Sequence, residues 1–127
     1  MACTGHKTVS VQAEAALTQS KADWAAGRAK WRAIVAENPT PHAFVQLATC
    51  EYKLGLYEVS LATCEKLIAA DPIRYHQIRG IVFLKLRRKN DAAAAFHNMV
   101  IAAERGGTPD DKLMAADLLR ACGDGKW

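Results

Sequence analysis

Four histidines (His6, His42, His76, His97) and four cysteines (Cys3, Cys50, Cys64, Cys122) are the side chains here best suited to metal binding, nucleophilic attack or proton transfer. Each of these chemistries needs its residues in company. A helical zinc site of the protease type places two histidines a turn apart as HExxH, zinc and redox sites pair cysteines as CxxC, and a P-loop needs GxxxxGK[ST]. None of these patterns occurs, and the histidines are dispersed. The chain is therefore expected to have no catalytic residues, no metal and no cofactor. The widely scattered cysteines read as reduced thiols; Cys50 and Cys64 fall on apolar helical stripes, where a free thiol packs as a small hydrophobe. His97, beside Phe96, reads as a partly covered helix histidine.

Charge is the other chemistry on offer. Lys85, Arg87, Arg88 and Lys89, with Arg74 and Arg79 upstream and no acid between Asp71 and Asp91, form a basic segment over 74–89 within a net charge of +4. Such a segment attracts nucleic acid, an acidic polypeptide or anionic lipid. Alternatively its cations stay solvated and complement the negative C-terminal dipole of a helix. No aromatic residue interleaves the run Lys85 to Lys89, so a platform for stacked bases is not indicated.

The elements that must carry these residues are helices. With 127 residues, half of them apolar and 24% charged, the chain fits one soluble domain. Lys85 interrupts the apolar run Ile81 to Leu86, which falls far short of the roughly 20 residues that span a bilayer. Residues 1–10 carry Lys7 but no apolar core behind it, so no secretory signal is expected and the expected location is cytoplasmic. Alanine-rich stretches of helical period predict seven helices, at 8–20, 24–37, 41–54, 57–70, 73–86, 91–105 and 109–122, between flexible ends at 1–7 and 123–127. Thr40-Pro41 and Thr108-Pro109 supply capping hydroxyls with a proline in the first turn, while Gly55, Gly106 and Gly123 sit where helices should stop. The short connections predict antiparallel neighbours, hence helical hairpins.

The hairpins repeat. Asn38-Pro39 and Asp71-Pro72 end two similar helices 33 residues apart, and the small residues Gly27 and Ser60 each stand four before a larger one, Trp31 and Cys64. In the middle unit, Phe44, Leu47, Ala48, Gly55, Tyr57, Ser60 and Pro72 resemble the motif positions of the tetratricopeptide repeat, with Glu51 where that family has tyrosine and Cys64 where it has an aromatic. Gly80, Phe83, Ala92, Phe96 and Met99 fit a third unit, which lacks a closing proline and departs at His76 and Arg79. Trp24, Gly27, Trp31 and Pro39 fit a first, whose leading helix matches only through Val11 and Ala15. The resemblance covers residues 8–105 and implies an all-α, right-handed superhelix of three antiparallel hairpins, at 8–39, 40–72 and 73–105. A capping helix at 108–122 should close it, with Ala115, Leu118, Leu119 and Cys122 facing the stack and a polar outer side.

In proteins similar to this one the first helices of the hairpins line a groove that takes a segment of a partner. By position the groove residues are His42, Val45, Gln46, Thr49, Tyr52 and Lys53 from the second unit, with Arg74, Gln77, Ile78, Ile81 and Lys85 from the third. Chaperone adaptors of the family clamp a C-terminal carboxylate with two lysines, two asparagines and an arginine. Here those positions read Gln12, Ala16, Gln46, Arg74 and Ile78, so the clamp is missing. Arg74 and Lys53 are expected instead to hold a partner's acidic side chain. The resemblance thus implies a non-catalytic module that binds protein or peptide as an adaptor, scaffold or chaperone-like subunit. Two alternatives stand beside it: a structural subunit that self-associates, as a homodimer or within a permanent complex, and a nucleic-acid binder working through 74–89. Trp24 and Trp31, seven residues apart on one stripe, are expected to wedge between hairpins.

Overall fold

The computed structural model describes the backbone of residues 9–123 and the side chains from residue 21 onward. Among the described residues the fold is all-helical: α1 (Val9–Glu37), α2 (Pro41–Lys53), α3 (Tyr57–Cys64, continued by a 3-10 turn Glu65–Leu67), α4 (Pro72–Lys85), α5 (Lys89–Gly106) and α6 (Pro109–Gly123). No described helix is long and apolar enough to cross a membrane. The expected segment 1–7 and residues 124–127 of the tail lie outside the described residues, as does Cys3.

Three helices open on the same device. Thr40, Asp71 and Thr108 each accept a hydrogen bond from the backbone amide three residues on (Ala43, Arg74 and Asp111, at 3.1–3.2 Å), and a proline follows each cap. The cap satisfies an amide that has no partner inside the helix, and proline gives up none that it needs. At α6 the device is reciprocal, because Asp111 Oδ2 accepts from the Thr108 amide at 3.2 Å. Gly55 closes α2 at φ +83°, and Arg87 closes α4 in the same left-handed region at φ +61°, with the Arg88 amide returning to Phe83 O at 2.8 Å.

The expected break between 20 and 24 is absent: α1 is one helix of 29 residues, so the hairpin expected at 8–39 does not form. Lys21, Ala22 and Asp23 include neither glycine nor proline, and an isolated Asp cannot stop an alanine-rich helix by itself. The helix expected at 57–70 tightens instead into the 3-10 turn at Glu65–Leu67.

Two antiparallel hairpins, α2/α3 and α4/α5, stand between α1 and α6. One core cluster joins α2, α3 and α4 through Ala48, Cys64, Leu67, Tyr75, Ile78 and Val82; the other joins α4, α5 and α6 through Phe83, Ala92, Phe96, Met99, Ala115 and Cys122. Close approach is built on small residues. Ser60 Oγ donates to Ala48 O at 2.8 Å, Gly27 lies against Cys50 Sγ, and Gly80 lies under the Phe96 ring. Cys50, Cys64 and Cys122 are free and buried, and burial pushes the Cys64 thiol up to about 12, where it stays protonated and unreactive.

Candidate protein-binding surface

The expected groove residues of α2 turn two ways. Val45 and Tyr52 are half-buried against the α2–α3–α4 core cluster, Gln46 and Thr49 are half-buried as well, and His42 and Lys53 are exposed. Trp31 of α1 meets His42 edge-on at 5.5 Å between ring centroids, and Lys53 Nζ lies 5.7 Å from the ring centre of Trp24. The two tryptophans thus brace the opposite ends of α2 from α1, which places His42 and Lys53 at the ends of one row. Thr49 Oγ1 donates to Val45 O within the same helix at 2.8 Å, so its hydroxyl could meet a partner only as an acceptor.

On α4 the structure corrects two expectations. Ile78 is 3% exposed, a core residue between α2 and α3, and offers no surface. Arg74 does not wait for a partner's acid: its Nη2 lies 2.6 Å from Asp111 Oδ1 of α6, and its Nη1 donates to Gln77 Oε1 at 2.9 Å. Gln77 Nε2 in turn reaches Met114 Sδ at 3.1 Å. Ile81 is half-buried and packs against the α4–α5–α6 cluster, so only its uncovered part reaches the surface, whereas Lys85 is exposed at the helix end. Of the expected groove residues, His42 and Lys53 on α2 and Lys85 on α4 are exposed, Gln46 and Ile81 are half-buried, and both polar atoms of Gln77 are met by Arg74 and Met114.

Half of the cations of the basic segment are engaged within the chain, while Lys85, Arg87 and Lys89 are exposed. Arg79 lies 5.0 Å from the Phe83 ring centre, and Arg88 lies 4.7 Å from it while pairing with Asp91 at 2.8 Å. With Arg74 on Asp111, three of the cations that the sequence offered to nucleic acid cover this protein's own aromatics and acids. Lys53 and Lys85 remain as the exposed cations of the α2/α4 face.

Glu51, on the opposite side of α2, is 2% exposed. Burial pushes its carboxyl above the ordinary range, against the pull of a Thr63 hydrogen bond, Arg28 and Arg32. The nearest cation contact, Arg28 Nε to Glu51 Oε2, is 3.9 Å, too long for a hydrogen bond. A cleft of about 600 Å³ opens between the start of α4 and the end of α5, with His76, Asn98 and Arg105 among its lining residues. Burial, and then Arg79, lower the pKa of His76, which keeps this imidazole neutral at physiological pH. Among the described residues no group of three His, Cys, Asp or Glu could hold a metal ion.

The residues that sequence reasoning missed are on α6. Leu113 is 61% exposed and Met114 40%, so the outer side of this helix is not the polar cap expected of it. The signal was present as apolar residues at 113, 114 and 121, displaced around the helix from the expected row at 115, 118, 119 and 122, which packs on the core. Comparison of the chain with known protein families, with curated proteins and with solved structures finds no match.

Proposed function

We propose that this protein is a non-catalytic interaction module of tetratricopeptide-repeat type, whose first helices α2 and α4 receive a segment of a partner polypeptide. The observation that carries this reading is the composition of the α2/α4 face. The neighbouring helices α2 and α4 contribute a half-buried amide (Gln46), a partly covered apolar residue (Ile81) and two exposed cations (Lys53, Lys85). That combination suits a peptide that offers backbone groups to Gln46, an apolar side chain to the uncovered part of Ile81 and a carboxylate to the lysines. Lys85 takes the role that the sequence suggested for Arg74, whose charge is met by Asp111.

In this reading the two hairpins and their flanking helices are turns of a right-handed superhelix with the first helices inside. The module acts as an adaptor or scaffold subunit. The engagement of Arg74, Arg79 and Arg88 within the chain leaves Lys85, Arg87 and Lys89 exposed, half of what the segment offered to the many phosphate contacts of nucleic acid, and so favours a polypeptide partner. Capture from the native cell extract with wild-type protein and with a Lys53→Glu/Lys85→Glu variant tests the proposal. The reading expects at least one specific partner to be lost from the variant, and identical recovery of every partner would contradict it.

A further inference from the structure

α4 and α6 are equivalent helices. Each begins with proline after a capping side chain, and the contacts Arg74–Asp111 and Gln77–Met114 pair them in the same direction, both at a separation of 37 residues. The same shift maps the positions by which α4 receives α5, Ile73, Gly80, Ile81 and Leu84, onto Asp110, Asp117, Leu118 and Ala121. With Leu113 and Met114, these four line an apolar groove of about 450 Å³ along α6. Among the described residues α6 is thus a first helix with no second helix packed on it, and the face they leave open is the one that α4 fills with α5.

We propose that this face of α6 binds an amphipathic α-helix of a partner polypeptide, laid antiparallel as α5 lies on α4 and carrying a lysine or arginine opposite Asp117. The charge follows from the substitution pattern. Where Gly80 gives room to the Phe96 ring, α6 has Asp117, and where Ile73 packs on α5, α6 has Asp110. An apolar helix like α5 would desolvate both carboxylates without compensation, whereas a cationic side chain at the place of Phe96 would pair with Asp117. Among the described residues Asp117 pairs with Arg120, one turn on at 3.2 Å on the surface, a contact worth little and easily exchanged. Two α6 helices face to face are not the occupant. Face to face, two copies would set the Asp110 and Asp117 carboxylates of one against those of the other with no cation among the described lining residues to pair them, the uncompensated burial that a cationic partner helix avoids.

The probes are two synthetic peptides: one with the sequence of α5, residues 89–106, and the same peptide with Phe96→Lys. Each is titrated into the intact protein by fluorescence anisotropy. The lysine peptide should bind about tenfold or more tightly than its parent, Asp117→Asn should erase that difference, and Leu113→Glu/Met114→Glu should abolish binding. Both replaced side chains lie on the surface, and unchanged circular dichroism will verify that the fold persists. Equal affinity of the two peptides, no binding of either, or binding indifferent to Leu113→Glu/Met114→Glu overturns the proposal. So does a dimer in light scattering that the same double substitution dissociates, since the occupant would then be a second copy.

Discussion

Arg74 Nη2 lies 2.6 Å from Asp111 Oδ1, and through this contact the last helix is tied to the face of α4 rather than to α5 alone. The bond is charge-assisted and half-sheltered, and Asp111 also completes the reciprocal cap with Thr108. The Arg74 guanidinium first, then the Thr108 amide, hold the Asp111 carboxyl below the usual carboxylate range. The folded form therefore binds this proton more weakly than the unfolded chain. The contribution is fully present above the ordinary value of about 4 and is lost as pH falls through the depressed one. Asp111→Asn should cost about 1–3 kcal/mol in urea unfolding at neutral pH and remove that acid-side slope.

Glu51 should behave with the opposite sign. Burial raises its carboxyl, so the folded state holds the proton more tightly than the unfolded chain. Stability should decline as pH rises from about 4.3 through the raised value, where the buried carboxylate must ionise. Glu51→Gln keeps the shape and the capacity to meet Thr63 while removing the charge. It should unfold at a higher urea concentration than wild type at neutral pH, by about 1 kcal/mol, with the gap closing as pH falls. A variant less stable than wild type at neutral pH would show that Arg28 and Arg32 outweigh desolvation.

Arg87 occupies the left-handed region at φ +61°, a conformation that costs a side chain and suits glycine. Its side chain is exposed, so nothing packed is lost when it is removed. Arg87→Gly should stabilise the protein by about 0.5–1 kcal/mol, while Gly55→Ala, at φ +83°, should destabilise it by a similar amount. Thermal melts of the two variants should move in opposite directions.

At Gly80 the packing leaves no room. A methyl group there runs into the Phe96 ring, which is fully buried and has nowhere to go. Gly80→Ala should cost about 1–3 kcal/mol, and adding Phe96→Leu should recover part of the loss although the leucine alone is destabilising. A double variant as unstable as the sum of the singles would place the damage in the backbone of α4 instead.

Much of the fold was readable because its signals are local. Thr40, Asp71 and Thr108 each sit before a proline and carry a side chain that caps three residues on; no distant contact is needed to recognise them. Small residues paired with large ones, such as Ser60 and Cys64, marked the packing faces for the same reason. The break placed near Lys21 had no such local cause, only the expectation that hairpins repeat, and α1 runs through it. The candidate surface was harder, because a helical position faces core or solvent according to its neighbour's location. Gln77 and Ile78 are adjacent in sequence yet about 100° apart around α4, and only the course of α2 and α3 decides that Ile78 is covered. Likewise Arg74 looked free until α6 brought Asp111 to it across 37 residues.

The central claim is that partners bind on the α2/α4 face, and site-specific photo-crosslinking tests it most directly. A benzophenone side chain is placed at Gln46, at Ile81, or at Glu58, which is exposed on α3, and each protein is irradiated in the native cell extract. The account predicts a common partner adduct from positions 46 and 81 and none of that mass from position 58. Adducts that form equally well from position 58, or only there, would contradict it.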